Sequence, residues 1–222
     1  MRKVLDLWLK SKTGQFDHLD IVVTIDHGKG HSRVTCNFIT RTRSAVDGEW
    51  QEEEYAVTIG NARCRKDNAD IIMNTFGTQL NDDLKTLPTS ISIVEGKAEF
   101  GANADSEKNI PINLFMAGDI LFYNMVIGKE GMAGWWCCYC QMFRPDWQDK
   151  DPEATEPWMI ERLTHHANQL ENGMLDVNKT NEKKGVKEKP IFDAIDTDHY
   201  ANPTLHLPIG LGNDAFKNLI LE

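Results

Sequence analysis

The spacing of apolar and polar residues in the first third of the chain predicts three consecutive strands. Residues 21–26 are almost all apolar, as in a strand that is buried on both faces. Residues 33–40 are rich in β-branched side chains and predict the second strand of a hairpin. Residues 41–53 are polar and predict a loop, and residues 55–64 predict a third strand with a bulge at Gly60.

A helix is predicted after the third strand. Asp67 or Asn68 can cap its N-terminus, and Pro88 ends it. Apolar residues recur between these positions at steps of three and four, as on the buried face of a helix. These residues are Ile71, Ile72, Phe76, Leu80, Leu84 and Leu87.

The hydrophobic pattern then predicts a fourth main strand. Residues 90–94 give a weak strand signal, and residues 101–109 predict a polar loop. Residues 114–119 predict the strand, which ends at Asp119, and residues 120–126 predict a short helix directly after it.

The composition changes after this helix, which suggests an insertion into a single α/β domain. We expect a core over residues 18–128, a Cys-containing insertion over 129–190, and a return to the core over 191–222. Within the insertion, residues 157–170 predict an amphipathic helix, and the charged residues 179–189 predict a mobile stretch. A last helix is expected to begin near Asn213 and to be truncated at Glu222.

Three antiparallel strands, a crossover helix and a fourth strand follow one another in the order of an RNase H-like core. In that fold the first and fourth strands are neighbours, so Asp26 and Asp119 would converge at their ends. Paired carboxylates suit Mg²⁺ or Mn²⁺, and two such ions can activate the attacking oxygen and stabilise the leaving oxygen of a phosphodiester. The alternatives are that Asp26 is a turn residue and that Asp119 only caps the following helix.

The five cysteines suggest reduced thiols or a metal site in an intracellular protein, because the count is odd and no signal peptide is apparent. Cys137 and Cys140 form a Cys-x-x-Cys pair that can supply two ligands to a structural Zn²⁺. The best candidates for further ligands are His206 and His199, with His165 and His166 behind them. The alternative is a group of small buried cysteines beside Trp135 and Trp136.

The net charge of −10 bears on the expected partners. A DNA-binding domain usually carries a basic surface, so most DNA contacts would lie elsewhere in a longer protein. No apolar run reaches the roughly 18–20 residues that span a bilayer, so no membrane partner is expected.

Three short motifs resemble the catalytic core of eukaryotic DDE/D transposases. They are Gly118-Asp119-Ile120 with its short helix, Trp136-Cys137-Cys138-Tyr139-Cys140, and Leu205-His206-x-x-x-Gly210-Leu211. These motifs are similar to the Gly-Asp-Leu-Lys, CxxC and Leu-His-x-x-x-Gly elements of that family, and more distantly to Transib-type recombinases. The resemblance covers roughly residues 18–220 and is carried by about a dozen positions. Ile120-Leu121 stands where the family often has Leu-Lys.

The resemblance implies an RNase H-like fold with a helical zinc-binding insertion, and a nuclear protein that cleaves DNA and transfers the freed 3′-hydroxyl to a target strand. Asp26 and Asp119 would be the first two metal-binding acids, and Cys137, Cys140 and His206 would form a zinc knuckle. Transposon ends and target DNA would be the partners, with a homo-oligomer possible.

The third acid of the catalytic set is not fixed by the sequence. Asp214 and Glu222 lie in the appropriate region, and the family's acid could also lie beyond them. Two alternatives therefore remain open: an inactive, domesticated module that binds DNA or protein, and another RNase H-like nuclease. A 3′–5′ exonuclease would need a DxE pair on the first strand, which Asp26-His27-Gly28 does not supply.

Overall fold

A computed structural model describes residues 1–11, 16–28, 30–64, 69–101, 108–130, 134–146, 155–176 and 178–201. These residues form an α/β structure around a mixed six-stranded sheet in the order β3-β2-β1-β6-β4-β5. The strands are β1 (His18–Gly28), β2 (His31–Arg43), β3 (Trp50–Arg63), β4 (Ser90–Val94), β5 (Lys97–Phe100) and β6 (Lys108–Ala117). The α-helices are α1 (Arg2–Ser11), α2 (Ala69–Ile72), α3 (Thr78–Lys85), α4 (Ile120–Val126), α5 (Ile160–Glu171) and α6 (Thr180–Lys183). A π-helical turn (Met73–Gly77) joins α2 to α3, and 3₁₀ turns cover Arg144–Asp146 and Thr197–His199.

The first three strands form the predicted antiparallel meander. The predicted loop over 41–53 is wrong at both ends, because β2 continues to Arg43 and β3 already begins at Trp50. Cross-strand pairing explains the extension, since Arg41 Nε donates to Glu52 Oε2 at 2.9 Å across the exposed end of the ladder. The bulge predicted at Gly60 is confirmed by a register shift opposite Val34 and Thr35.

One face of β1 forms the centre of the hydrophobic core. Its side chains alternate, so every second residue points to the same face of the sheet. The inward-facing residues are Leu19, Ile21, Val23 and Ile25, each at most 3% exposed. Helix α1, which the sequence pattern did not predict, contributes Leu5, Trp8 and Leu9 to the same buried cluster, and α3 contributes Leu80 and Leu84.

Strand β6 lies next to β1, as predicted, and runs parallel to it. It begins at Lys108 and ends at Ala117, so the predicted bounds of 114–119 are too late, and the predicted loop over 101–109 overlaps the strand. The hairpin of β4 and β5 pairs antiparallel with the first half of β6. Only β4 of this hairpin had been predicted, because β5 is short and half exposed.

A buried polar cluster fixes the register between β1, β2 and β6. Asp20 of β1 is only 5% exposed and lies opposite Asn113 of β6. Its carboxylate accepts a hydrogen bond from Asn113 Nδ2 at 2.8 Å and pairs with the Arg41 guanidinium. A shift of the β1 register by one residue would separate this carboxylate from its partners, and a buried unpaired charge is strongly destabilising.

The chain after α4 packs against the end of that helix. The stretch expected to be mobile, 179–189, contains α6, and Val186 in it is fully buried. Backbone amides of Lys187 and Glu188 donate to the Gly128 carbonyl at 2.8 and 3.1 Å. No helix among the described residues is long and apolar enough to cross a membrane.

The closeness of this packing predicts that Gly128→Ala is destabilising. Gly128 has φ +73°, and a Cβ there would lie 2.0 Å from the Glu188 carbonyl oxygen. The left-handed backbone and the overlap together should lower the free energy of unfolding by about 3 kcal/mol. Urea unfolding measures this change.

Gly173→Ala is the matched control. Gly173 has φ +69°, but an added Cβ would meet nothing within 4 Å. This variant should lose only about 1 kcal/mol from the backbone conformation. Equal losses in the two variants would contradict the close approach at Gly128.

Candidate functional site

The two predicted aspartates lie at the same end of two neighbouring parallel strands. The register of β1 and β6 runs to the pair Thr24 and Ala117. Asp26 follows Thr24 by two residues, and Asp119 follows Ala117 by two residues. Neighbouring strands lie about 4.8 Å apart, so both residues follow the same end of adjacent strands, each two residues beyond the last paired position.

Asp119 caps helix α4, as the alternative interpretation of this residue predicted. Its backbone is extended, with φ −86° and ψ 166°, and its Oδ1 accepts a hydrogen bond from the Phe122 amide at 2.6 Å. The other carboxylate oxygen, Oδ2, has no hydrogen-bond partner among the described residues. Gly118 is required just before it, because a Cβ there would lie 2.4 Å from Phe122 Cδ1.

Asp26 is exposed and lies opposite Arg33 of β2. It points to the face of β1 that is opposite to the row of core residues. Its carboxylate makes no hydrogen bond or ion pair within the described part of the chain.

The chain returns to the sheet beside the second half of β6. Tyr200 forms a parallel bridge to Met116, and the Ala201 amide donates to the Met116 carbonyl at 2.8 Å. The buried Tyr123 hydroxyl accepts from the Gly118 amide at 2.9 Å and donates to the Ala201 carbonyl at 2.5 Å. Burial raises the pKa of Tyr123 to about 12, so this hydroxyl stays protonated.

Cys137 and Cys140 lie together, with their sulfur atoms 3.4 Å apart. This separation exceeds the ~2.05 Å of a disulfide and is close to the ~3.8 Å between two thiolates on a tetrahedral Zn²⁺. The Cys140 thiol donates a hydrogen bond to the Cys137 sulfur, and together with backbone amides and Lys129 it lowers the pKa of Cys137 to about 6. The same hydrogen bond raises the pKa of Cys140. Cys138 instead points into the core, where burial raises its pKa to about 12.

Lys129 contacts the backbone of this pair at Cys137, and the sequence pattern gave no indication of it. The side chain is buried, its Nζ donates to the Cys137 carbonyl, and the ammonium lies 5.1 Å from the centre of the Trp158 ring. Burial lowers the pKa of Lys129 to about 8, against the opposing pull of the neighbouring thiols.

The structure describes three of the four histidines that were predicted as candidate ligands. His199 is exposed, and its Nδ1 lies 3.0 Å from the Leu114 carbonyl, within hydrogen-bond distance, while its ring packs on Phe115. His165 is exposed, and His166 lies 3.1 Å from the Glu182 carbonyl and against Trp158, where burial lowers its pKa.

His206, Asp214 and Glu222 lie outside the described residues. Among the residues that are described, no group of three or more His, Cys, Asp or Glu side chains is placed to hold a metal ion. The described chain therefore contributes a pair of carboxylates and a pair of thiols, and any further ligands must come from elsewhere.

The CxxC segment is hydrogen-bonded to Ala201, which lies beside the second half of β6. The Tyr139 hydroxyl, between the two cysteines, donates to the Ala201 carbonyl at 3.3 Å. His206 follows Ala201 by five residues, which span at most about 17 Å of chain. Sequence reasoning missed Tyr123 and Tyr139 as site residues, although both lie within a few positions of the predicted ligands.

No protein-family model matches this chain, and a search of curated proteins finds no match to its sequence. The class of protein is therefore inferred from the geometry of these two pairs of side chains.

The thiol pair predicts a pH profile for alkylation of the metal-free protein. A depressed pKa means that the Cys137 thiolate is present above about pH 6 and is lost as the pH falls through that value. The rate of reaction with iodoacetamide should therefore rise with a midpoint near pH 6. Peptide mapping identifies the labelled residue.

Cys140→Ala removes the hydrogen bond that stabilises the thiolate, so it should move this midpoint upward. Cys36 provides an internal control, because burial raises its pKa to about 12 and it should stay unlabelled. A wild-type midpoint near 8.5 that Cys140→Ala leaves unchanged would contradict the assignment.

Proposed function

We propose that this chain is the catalytic core of a DDE/D-type DNA transposase with an RNase H-like fold, and that it cleaves and joins DNA strands with divalent metal ions. The observation that carries the proposal is the parallel register of β1 and β6, which brings Asp26 and Asp119 to one edge of the sheet. Phosphodiester chemistry requires carboxylates that converge in this way.

The order of the strands supports the RNase H-like assignment. The segment β3-β2-β1-β6, with β1 antiparallel to β2 and parallel to β6, follows the order of that core. The β4–β5 hairpin is then an addition beside the first half of β6. Residues 199–201 lie beside the second half, where the fold would place its next strand.

The two aspartates would act as metal ligands. Bound between them, Mg²⁺ or Mn²⁺ would polarise the phosphodiester and lower the pKa of an attacking water. Asp119 offers Oδ2, because the helix cap holds Oδ1 and thereby fixes the orientation of the carboxylate. Asp26 offers an exposed carboxylate on the neighbouring strand. Asp214 or Glu222 would supply the third acid.

In the proposed reaction, a water oxygen attacks the phosphorus and the 3′-oxygen leaves with its bonding electrons, to be protonated to a hydroxyl. That hydroxyl then attacks a target phosphodiester and displaces another 3′-oxygen. Each step breaks one P–O bond and forms one, and neither needs an oxidant or a reductant.

The thiol pair supports a structural zinc site in the same protein. The sulfur separation of 3.4 Å suits tetrahedral Zn²⁺, and Cys137 ionises readily. His206 is the leading candidate for a further ligand, because Tyr139 connects the CxxC to Ala201. His199 is the weaker candidate, since its Nδ1 lies within hydrogen-bond distance of the Leu114 carbonyl.

Transposon ends and target DNA would be the partners of this nuclear protein. The net charge of −10 means that a basic region outside the chain, or a second copy, would provide much of the DNA affinity.

A second candidate is an inactive module derived from a transposase. The capping bond of Asp119 favours it, because capping alone would explain an aspartate at this position. Such a module would bind its partner equally well without Asp26 and Asp119, whereas the catalytic core would lose its metals.

Charge-removing variants of the two aspartates provide the test. Asp119→Asn should keep the helix cap, because Asn caps as well as Asp, but it should lose Mn²⁺ binding. Asp26→Asn should also lose Mn²⁺ binding. Electron paramagnetic resonance titration measures the bound Mn²⁺, and nicking of supercoiled DNA measures the reaction.

Two further variants separate metal binding from stability. Asp119→Ala should lose both the metal and about 1 kcal/mol of stability, which is the usual value of an N-cap. Asp82→Asn, at an exposed aspartate on α3, should leave Mn²⁺ binding unchanged. Wild-type affinity in Asp26→Asn and Asp119→Asn would rule out the metal site.

Metal analysis tests the zinc site separately. The purified protein should contain about one zinc per chain, and Cys137→Ser or Cys140→Ser should abolish it. Cys36→Ala should retain the zinc, because Cys36 is buried in the sheet core. Absence of zinc together with freely reactive thiols would remove this part of the proposal.

A further inference from the structure

Lys129 is a buried cation without an anionic partner of the usual kind. Its residue is only 5% exposed, and none of the carboxylates in the described residues lies within ion-pair distance of its Nζ. Its direct contacts are the Cys137 carbonyl, which accepts a hydrogen bond, and the Trp158 ring, 5.1 Å from the ammonium. Both partners are neutral.

An ammonium is costly to bury unless a negative charge compensates it. A carbonyl and an aromatic face offset only part of that penalty. The side chain cannot reach solvent to contact a nucleic acid, because Trp158, itself 1% exposed, covers it. A negatively charged group inside the protein would therefore be needed to compensate the Lys129 ammonium.

Three thiols supply the candidates for that anion. The carbonyl that accepts from Lys129 belongs to Cys137, which bears the first of these thiols, and Cys138 and Cys140 follow it within three residues. Cys138 is buried in the core, whereas the sulfurs of Cys137 and Cys140 face each other at 3.4 Å. A metal bound by this pair requires both sulfurs as thiolates, which places two negative charges beside the ammonium.

We propose that Lys129 is the counter-charge of a thiolate–metal centre at Cys137 and Cys140, and that it positions the loop through the Cys137 carbonyl. The proposal rests on the zinc site proposed above and adds a residue that sets its affinity. Lys129 does not touch the metal. It offsets the charge of the ligands and holds the backbone that carries the first of them.

Lys129→Met tests the proposal with two measurements. Zinc affinity is expected to fall, whereas the stability of the zinc-free protein is not. Met keeps an apolar stem of similar length over Trp158 but removes the charge. Zinc affinity, measured at pH 7 with the full chain by competition with a chromophoric chelator, should fall 10- to 100-fold, as for other residues that support metal ligands. The thermal midpoint of the zinc-free protein, compared in a Cys137→Ser, Cys140→Ser background that carries no thiolate at the pair, should stay unchanged or rise, because an uncompensated buried charge is lost.

Lys187→Met is the matched control. Its side chain is 65% exposed on the segment that pairs beside Lys129, so both readouts should stay at the wild-type value. Equal zinc affinity in wild type and Lys129→Met would overturn the counter-charge role and leave the zinc site standing. A fall in the zinc-free midpoint together with the affinity would identify Lys129 as an ordinary packing residue, which also overturns the proposal. A wild-type protein that binds no zinc would remove the zinc site itself and this role with it.

Discussion

The parallel pairing of β1 with β6 is the constraint on which the rest of the structure depends. The two strands are far apart in sequence, and the hydrogen bond between Asp20 and Asn113 fixes how they align. Arg41 extends the same constraint to β2. Because side chains alternate along a strand, this alignment also decides which residues face the core and which appear at the far end of the sheet. Asp26 and Asp119 are placed there by contacts made one strand length away.

Much of this frame could be predicted from local pattern, and what was missed has physical causes. The apolar run of β1 and the turn of α4 after Asp119 are visible because burial dictates their composition. The charged ends of β2 and β3 resemble a loop, since ladder hydrogen bonds and ion pairs such as Arg41–Glu52 do not require apolar residues. Helix α1 and strand β5 are short and depend on tertiary packing. Lys129 could not be found by pattern, because a lysine between Gly128 and Glu130 resembles any surface residue.

The two pairs of candidate ligands differ in how far the protein prepares them. One oxygen of Asp119 is committed to the Phe122 amide, so its carboxylate has a fixed orientation, whereas Asp26 is exposed and makes no such bond with the described part of the chain. The thiols are more constrained, since a hydrogen bond joins them and the buried Lys129 ammonium holds the Cys137 carbonyl. Ligands held in this way lose little freedom when an ion binds, which favours the bound state. The proposed zinc site should therefore be the more stable of the two, and the proposed carboxylate site should exchange its ion more readily.

The Tyr123 hydroxyl links the segment before Asp119 to the CxxC segment through a chain of hydrogen bonds. It accepts a hydrogen bond from the Gly118 amide and donates one to the Ala201 carbonyl, which also accepts from the Tyr139 hydroxyl. Each hydrogen bond in such a chain polarises the next, so the series is stronger than separate bonds would be. Tyr123, which accepts from the residue before Asp119, and Tyr139, which lies between the two cysteines, thus share one acceptor. A shift of that single carbonyl would be felt at both sites at once.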